Sequence, residues 1–440
     1  MWYNLNGDSM VSEEQIEKII ERLVNRIEKA NTYILMRMGE DIKKIRDISP
    51  LQAHQLAQII KYGGEYDDII KQLSKYTKIN ISDIDEMFKQ FAKRDQEFNK
   101  KFYKYRNKPY IPYEKNKVLK KQTEELANVV KKEMYDYTRK NVLGYTIKDT
   151  QGNVQFLGLK ETYNRVLDEA VLNVNQGKEG FDSAMSNILE EIGGSGLKTL
   201  NYESGRSIRL DSAIRMHLKS RLRELHNENQ MLFGKQFDSD GVEISVHAYP
   251  APDHASSQGR QFSTVKPSEE ELSEYEKLQN GEDAKDYKGN IYTLDHDGKN
   301  GYRPISEMNC YHFVFSIILG VSEPNYSDEE LKKIIDDNNK KIEYNGKKYT
   351  KYELSQVMRK IERSIRRNKD TQILAKASDN EGLIRKSQKN IDTLVTKYYE
   401  VSKTSGLPTK LERLQVEGYR KVKLDWYFVS LSKIMFNDIL

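Results

Sequence analysis

Apolar residues recur at helical spacing through the first hundred positions, and most runs are framed by helix-start signals. Ser12-Glu13-Glu14-Gln15 has the form of a capping box, with Val11 and Ile16 spaced to staple across it. Ile16, Ile19, Ile20, Leu23, Val24 and Ile27 follow as one stripe, which reads as core or as a face for a partner. Ser49-Pro50-Leu51-Gln52 is a second capping box with proline at the first helical position, and Gly63-Gly64 should end that helix. A third helix is expected from near Ser82, carrying Ile84, Met87, Phe88 and Phe91.

Pro109 and Pro112 interrupt the pattern and mark a joint. From about Glu114 to Phe237 the spacing is again helical, with a short strand or turn around Gln151-Gly152-Asn153 and a break at Gly193-Gly194-Ser195-Gly196. The periodicity changes at Gly241: Val242 to Val246 alternates like a strand, and 250–268 is rich in turn residues. Glu269 to Asn280 is charged and reads as a short exposed helix. Asp295-His296-Asp297-Gly298 lacks the remaining positions of a calcium loop and reads as a turn. Phe313 to Val321 closes a small α+β region. Helices return beyond Ser327, with Tyr344-Asn345-Gly346-Lys347 predicting a tight hairpin and Lys351 to Asp370 a charged helix. The end, with Trp426-Tyr427-Phe428, reads as helix plus hydrophobic tail. The expected fold is therefore mainly α with an embedded small α+β module. It divides into a helical arm (1–108), a helical middle domain (109–238), a His/Cys module (239–326) and a helical C-terminal region (327–440).

Composition narrows the function classes. The 440 residues carry 72 basic and 67 acidic side chains, a net charge of +5 that is small for a dedicated DNA binder. One cysteine excludes an internal disulfide framework and suits a reducing compartment. No run of about 18 apolar residues predicts a membrane span, and the N-terminal residues lack the pattern of a signal peptide. The chain reads as soluble and made in a cytoplasm. Walker A, dinucleotide and His-Glu-x-x-His motifs are absent, so no small-molecule substrate is inferred.

Four of the seven histidines lie between 247 and 312, together with the lone cysteine. His247, His254, Cys310 and His312 supply the four nitrogen and sulfur donors that zinc prefers. Cys310 and His312, one residue apart, would share a face on a strand. The spacing matches no zinc-finger pattern, so the same residues also read as polar core groups that hydrogen-bond within a loop-rich fold. A third reading makes Cys310 a nucleophile, with His254 or His312 as base and Asp253 as orienter. Arg206, Arg209 and Arg215, and Arg359, Arg363 and Arg366 further on, are the candidates for phosphate contact.

Tyr202-Glu203-Ser204-Gly205, Arg209-Leu210-Asp211, the segment His247 to Phe262, Asn309-Cys310-Tyr311-His312 and Gly320-Val321-Ser322 occur in this order. With Tyr349 to Glu353, Gln356, Arg359, Glu362 and Arg363, and with Ser405-Gly406-Leu407, they resemble the phage minor capsid protein 2 family. That family is distantly similar to MuF-type head-morphogenesis proteins. Its signature falls here on His254, Gln258, Gly259, Asn309, Cys310 and His312. Two positions depart from the pattern: Tyr311 stands where arginine is common and Ser316 where proline is common. The resemblance implies a minor structural protein of a tailed-phage or prophage head, made in the host bacterial cytoplasm. It implies no enzyme activity, and its partners would be portal and head proteins, with packaged DNA close by. Two rivals stay open at this point: a phage-borne effector enzyme using the Cys/His site, and a DNA-binding assembly factor that leaves before maturation.

Overall fold

The computed structural model describes residues 13–63, 65–77, 81–139, 141–149, 151–200, 205–247, 249–292, 304–305, 310 and 312–419. The Ser12 capping box, Tyr202-Glu203-Ser204, the Asp295–Gly298 turn, Asn309, Tyr311 and the Trp426–Phe428 tail lie outside them.

The N-terminal part is helical, with α1 (Glu13–Arg46), α2 (Pro50–Tyr62), α3 (Glu65–Thr77) and α4 (Ile81–Tyr105). Ser49 closes the expected capping box with Gln52, and Gly63 caps the other end of α2. The helix expected near Ser82 is α4, and α3 is an element the spacing did not reveal. Its stripe is short: Ile69 and Leu73 are buried among acidic and basic neighbours just after the Gly63-Gly64 stop. The α1 stripe is not a partner face. Ile20, Leu23, Val24 and Ile27 are at most 2% exposed and pack inside the protein's own core.

After the Pro109–Pro112 joint, Asn116 caps α5 (Lys117–Thr138). A hairpin of β1 (Leu143–Lys148) and β2 (Val154–Gly158) turns where Gln151-Gly152-Asn153 predicted it. Then come α6 (Leu159–Asn173) and α7 (Gly177–Ser195), two short strands β3 (Lys198–Leu200) and β4 (Ser207–Arg209), and the long α8 (Leu210–Gln236). These strands form one antiparallel sheet in the order β2-β1-β3-β4. Helices α1 to α8 share one apolar core with Leu374 and Ala375 further along, so the segments before and after Pro109 bury their surfaces against each other.

The module begins with β5 (Gly241–Ile244), followed by β6 (Gln261–Ser263), α9 (Glu274–Asn280), β7 (Ala284–Lys285), β8 (Ile291–Tyr292) and β9 (Val314–Ile317). Its main sheet has the order β6-β5-β9, all antiparallel, with Val242 opposite both Phe262 and Ser316. A separate small core of Val242, Ile244, Phe262, Leu278, Ala284, Ile305 and Val314 fills it. Apart from Ala284, each such side chain contributes roughly 1.5–3 kcal/mol when fully buried. α9 is shorter than the exposed helix expected from 269, and it is pinned rather than free, because Leu278 is fully buried in this core. His226 on α8 fastens the module to the helical body. It meets Asp95 of α4 at 2.8 Å and the Val314 carbonyl of β9 at 3.0 Å.

The chain closes with α10 (Asp328–Asn339), the hairpin β10 (Ile342–Tyr344) and β11 (Lys347–Tyr349), then α11 (Lys351–Ala377) and α12 (Glu381–Ser405). Asn345 and Gly346 both take positive φ, 51° and 71°, as a two-residue Asn-Gly hairpin requires. Thr350 and Glu353 make the capping box of α11. α11 and α12 pair as an antiparallel hairpin with their own core around Leu354, Ile365, Tyr398 and Val401.

Candidate metal centre

The loop after β5 and the lead-in to β9 meet because their strands are neighbours. Ile244 pairs with Val314, and just beyond them the Ser245 amide donates to the Phe313 carbonyl at 2.9 Å. Chain segments 245–258 and 310–313 are thus held side by side. Pro252 opens a single 3-10 turn ending at His254, which points that imidazole inward. The return to β6 passes through Gly259 at φ +71°, where a β-carbon would lie 2.4 Å from the Leu331 side chain. Only glycine suits both the backbone angle and the space.

Three donors converge. The Cys310 Sγ lies 3.5 Å from His254 Nδ1 and 3.4 Å from His312 Nδ1. All three side chains are buried, and their ligand atoms lie within 4.8 Å of one another. The other nitrogen of each ring faces an oxygen. His254 Nε2 is 3.5 Å from the Asp253 carboxylate, and His312 Nε2 is 3.3 Å from Gln258 Oε1. That same Gln258 oxygen accepts the His247 amide at 2.9 Å, which fixes the orientation of the side-chain amide. Burial pushes the Cys310 thiol up. Hydrogen bonds from His254 and His312, with the charge of the two rings, outweigh it and bring the thiol down to about 5.

His247 stands apart from this set. Its Nδ1 accepts the Tyr249 amide at 3.2 Å, and its ring centre is 6.2 Å from that of His312. The cluster of the structure is therefore His254, Cys310 and His312, not the four residues listed from spacing. Cys310 and His312 do point together, although they precede β9 rather than lie on it. Among the described residues the neighbouring cavity, of about 250 Å³, is lined from the far side of Gly259, by Arg260, Asp286, Tyr287 and Tyr326 among others. Neither the cysteine nor the two histidines line it.

The arginines divide into two groups. Arg209 donates to Asp211 at 3.1 Å and to Asp370 at 2.9 Å, Arg366 pairs with the other oxygen of Asp211, and Arg215 holds Glu21 through both its terminal nitrogens. These three are spent on internal carboxylates, not on a solvated basic face. Arg206 and Arg363 are exposed and Arg359 is half-buried. The spacing did not reveal that Asp370 and Asn31 complete this buried network. The signal available was the i,i+4 spacing of Arg366 and Asp370, with opposite charges, and the Arg209-x-Asp211 run elsewhere in the chain.

A helix-dominated body carrying a small antiparallel Cys/His module, in which no described helix is long and apolar enough to cross a membrane, defines the class. Among protein families, the model described as phage minor capsid protein 2 matches residues 11–398. The chain belongs to the phage minor capsid protein 2 family, and its role is that of a structural protein of the phage head. No curated protein matches the chain, and no solved structure does.

Proposed function

We propose that the protein is a low-copy head component that docks at or near the portal and lies beside the packaged DNA as it is delivered. The observation that carries this reading is the outer face of α2. Leu51, Ile59 and Tyr62 are 69%, 57% and 77% exposed. They fall within an arc of about 80° on a helix that advances 100° per residue. The opposite side, Ala53, Ala57 and Ile60, is buried. An exposed apolar stripe on an otherwise well-packed helix is the feature that a helical groove on a partner recognises. With +5 net charge and Arg209, Arg215 and Arg366 already paired, contact with DNA would be weak and strongly screened by salt.

The Cys/His cluster serves the fold in this reading rather than turnover. Cys310, His254 and Asp253 do line up as nucleophile, base and orienter would, yet Cys310 is only 2% exposed and His254 only 1%. A substrate has no described path to the sulfur.

The docking claim is tested by binding the full chain to purified portal rings. Wild-type protein is expected to co-sediment with the ring, and the exposed substitutions Leu51→Glu and Tyr62→Ser to weaken binding at least about tenfold, a loss of roughly 1.4 kcal/mol. Undiminished binding by these variants, or no binding by the wild type, overturns it.

A further inference from the structure

The Cys/His cluster brings three metal-type donor atoms within 4.8 Å of one another in a buried site. Asp253 and the Gln258 oxygen can only accept, so His254 Nε2 and His312 Nε2 both carry hydrogen. Each ring then turns its Nδ1 toward the same sulfur, at 3.5 and 3.4 Å. A divalent cation placed among the three atoms would be held by all of them at once.

We propose that His254 Nδ1, Cys310 Sγ and His312 Nδ1 bind one zinc-class divalent ion, with a fourth position filled by water or another non-protein ligand. The spacing supports this. Zinc bonds of about 2.3 Å to sulfur and 2.0–2.1 Å to nitrogen, at tetrahedral angles, place sulfur and nitrogen roughly 3.5 Å apart. The structure has 3.5 and 3.4 Å. The surroundings agree with the donors. Ligating histidines characteristically turn their other nitrogen to a carboxylate or carbonyl, and here the second nitrogens face the Asp253 carboxylate at 3.5 Å and the Gln258 amide oxygen at 3.3 Å. Finally, the Gln258 side-chain nitrogen is buried beside the cluster with no acceptor among the described residues. A water held on the ion is a group of the right kind to supply one.

His247 is not a ligand in this assignment. Its amide orients Gln258, which in turn orients His312, so it is a positioning residue for the site. The ion would tie the 252–258 segment to residues 310–312 and so close the open end of the β5–β9 pair. That gives it a structural part in the module.

The test uses the full chain, purified without a histidine tag from zinc-supplemented medium and dialysed. Elemental analysis is expected to find about one zinc per chain, and close to none in Cys310→Ala or His312→Ala. His247→Ala should keep its full equivalent, and Gln258→Ala should bind zinc about 10–100-fold more weakly. Exchange with cobalt(II) supplies a readout that does not depend on the variants folding. Wild-type protein should show a thiolate-to-cobalt charge-transfer band and the visible bands of a tetrahedral ion. Metal-free wild-type protein without those cobalt bands overturns the proposal and leaves an imidazolium–thiolate cluster. Loss of zinc in His247→Ala overturns the three-ligand assignment.

Discussion

The Arg209 guanidinium donates to the Asp370 carboxylate at 2.9 Å, joining residues 161 positions apart at the centre of the helical body. Asp370 is fully buried, and its second oxygen accepts Asn31 of α1 at 3.2 Å. Asn31 in turn accepts the Tyr145 hydroxyl and the Leu197 amide. One polar chain therefore fastens α11 to α1, to β1 and to the start of α8. Removing Asp370 leaves the largely buried Arg209 charge with one carboxylate fewer. Asp370→Ala is expected to cost about 3–5 kcal/mol, read as the shift in a urea unfolding midpoint. A loss below about 1 kcal/mol would show that the network contributes little.

Gly196 guards the same guanidinium. Its φ of 62° and ψ of 166° belong to a region that only glycine enters freely. A β-carbon there would stand 2.3 Å from Arg209 Nη1. Gly196→Ala should lose at least about 1–3 kcal/mol from backbone strain alone, and restoring space with Arg209→Ala in the same chain should not recover the wild-type midpoint. An unchanged midpoint in the single variant would contradict the assigned backbone conformation.

Glu28 sets the pH dependence of this core. Burial, with Asp211 and Asp370 adding to it and Arg366 and Arg209 opposing it, raises its carboxyl from 4.5 to about 8. Between those values the folded chain holds a proton that the unfolded chain releases, so stability falls as pH rises through that window. The stabilisation is complete below about 4.5 and is gone above about 8. Glu28→Gln should match the wild type in acid and exceed it at the alkaline end, measured as a difference in thermal midpoints across pH. A difference that stays flat across the window would remove Glu28 as the cause.

Cys310 should label slowly in native protein and quickly in denaturant. The residue is 2% exposed and, in the proposed site, its sulfur is bound to the ion, and both protect it. Rapid native labelling would reopen the effector-enzyme reading.

Local signals carried most of the secondary structure into view. The Ser49 capping box, the Gly63 stop and the Asn345-Gly346 hairpin stand where residue chemistry put them, while α7 runs through Gly193 and Gly194 and breaks only at Gly196. The convergence of His254, Cys310 and His312 was legible because scarce donors of one chemical type cluster in one stretch. What stayed hidden depends on pairing over long separations. Arg209, Arg215 and Arg366 look like a solvated face until Asp370, Asp211 and Glu21 are brought to them from other elements. Likewise nothing in the spacing says that the Tyr249 amide engages one nitrogen of His247 and leaves it outside the cluster. The stripe on α1 could not be told from a docking face until the rest of the chain had covered it.

The central claim is that this family member works in the head at the portal, and quantitative mass spectrometry of purified particles tests it most directly. Particles assembled with the portal protein should hold a few to a few tens of copies per head, and particles assembled without it should hold almost none. Equal amounts in both preparations, or absence from mature heads, would contradict the account.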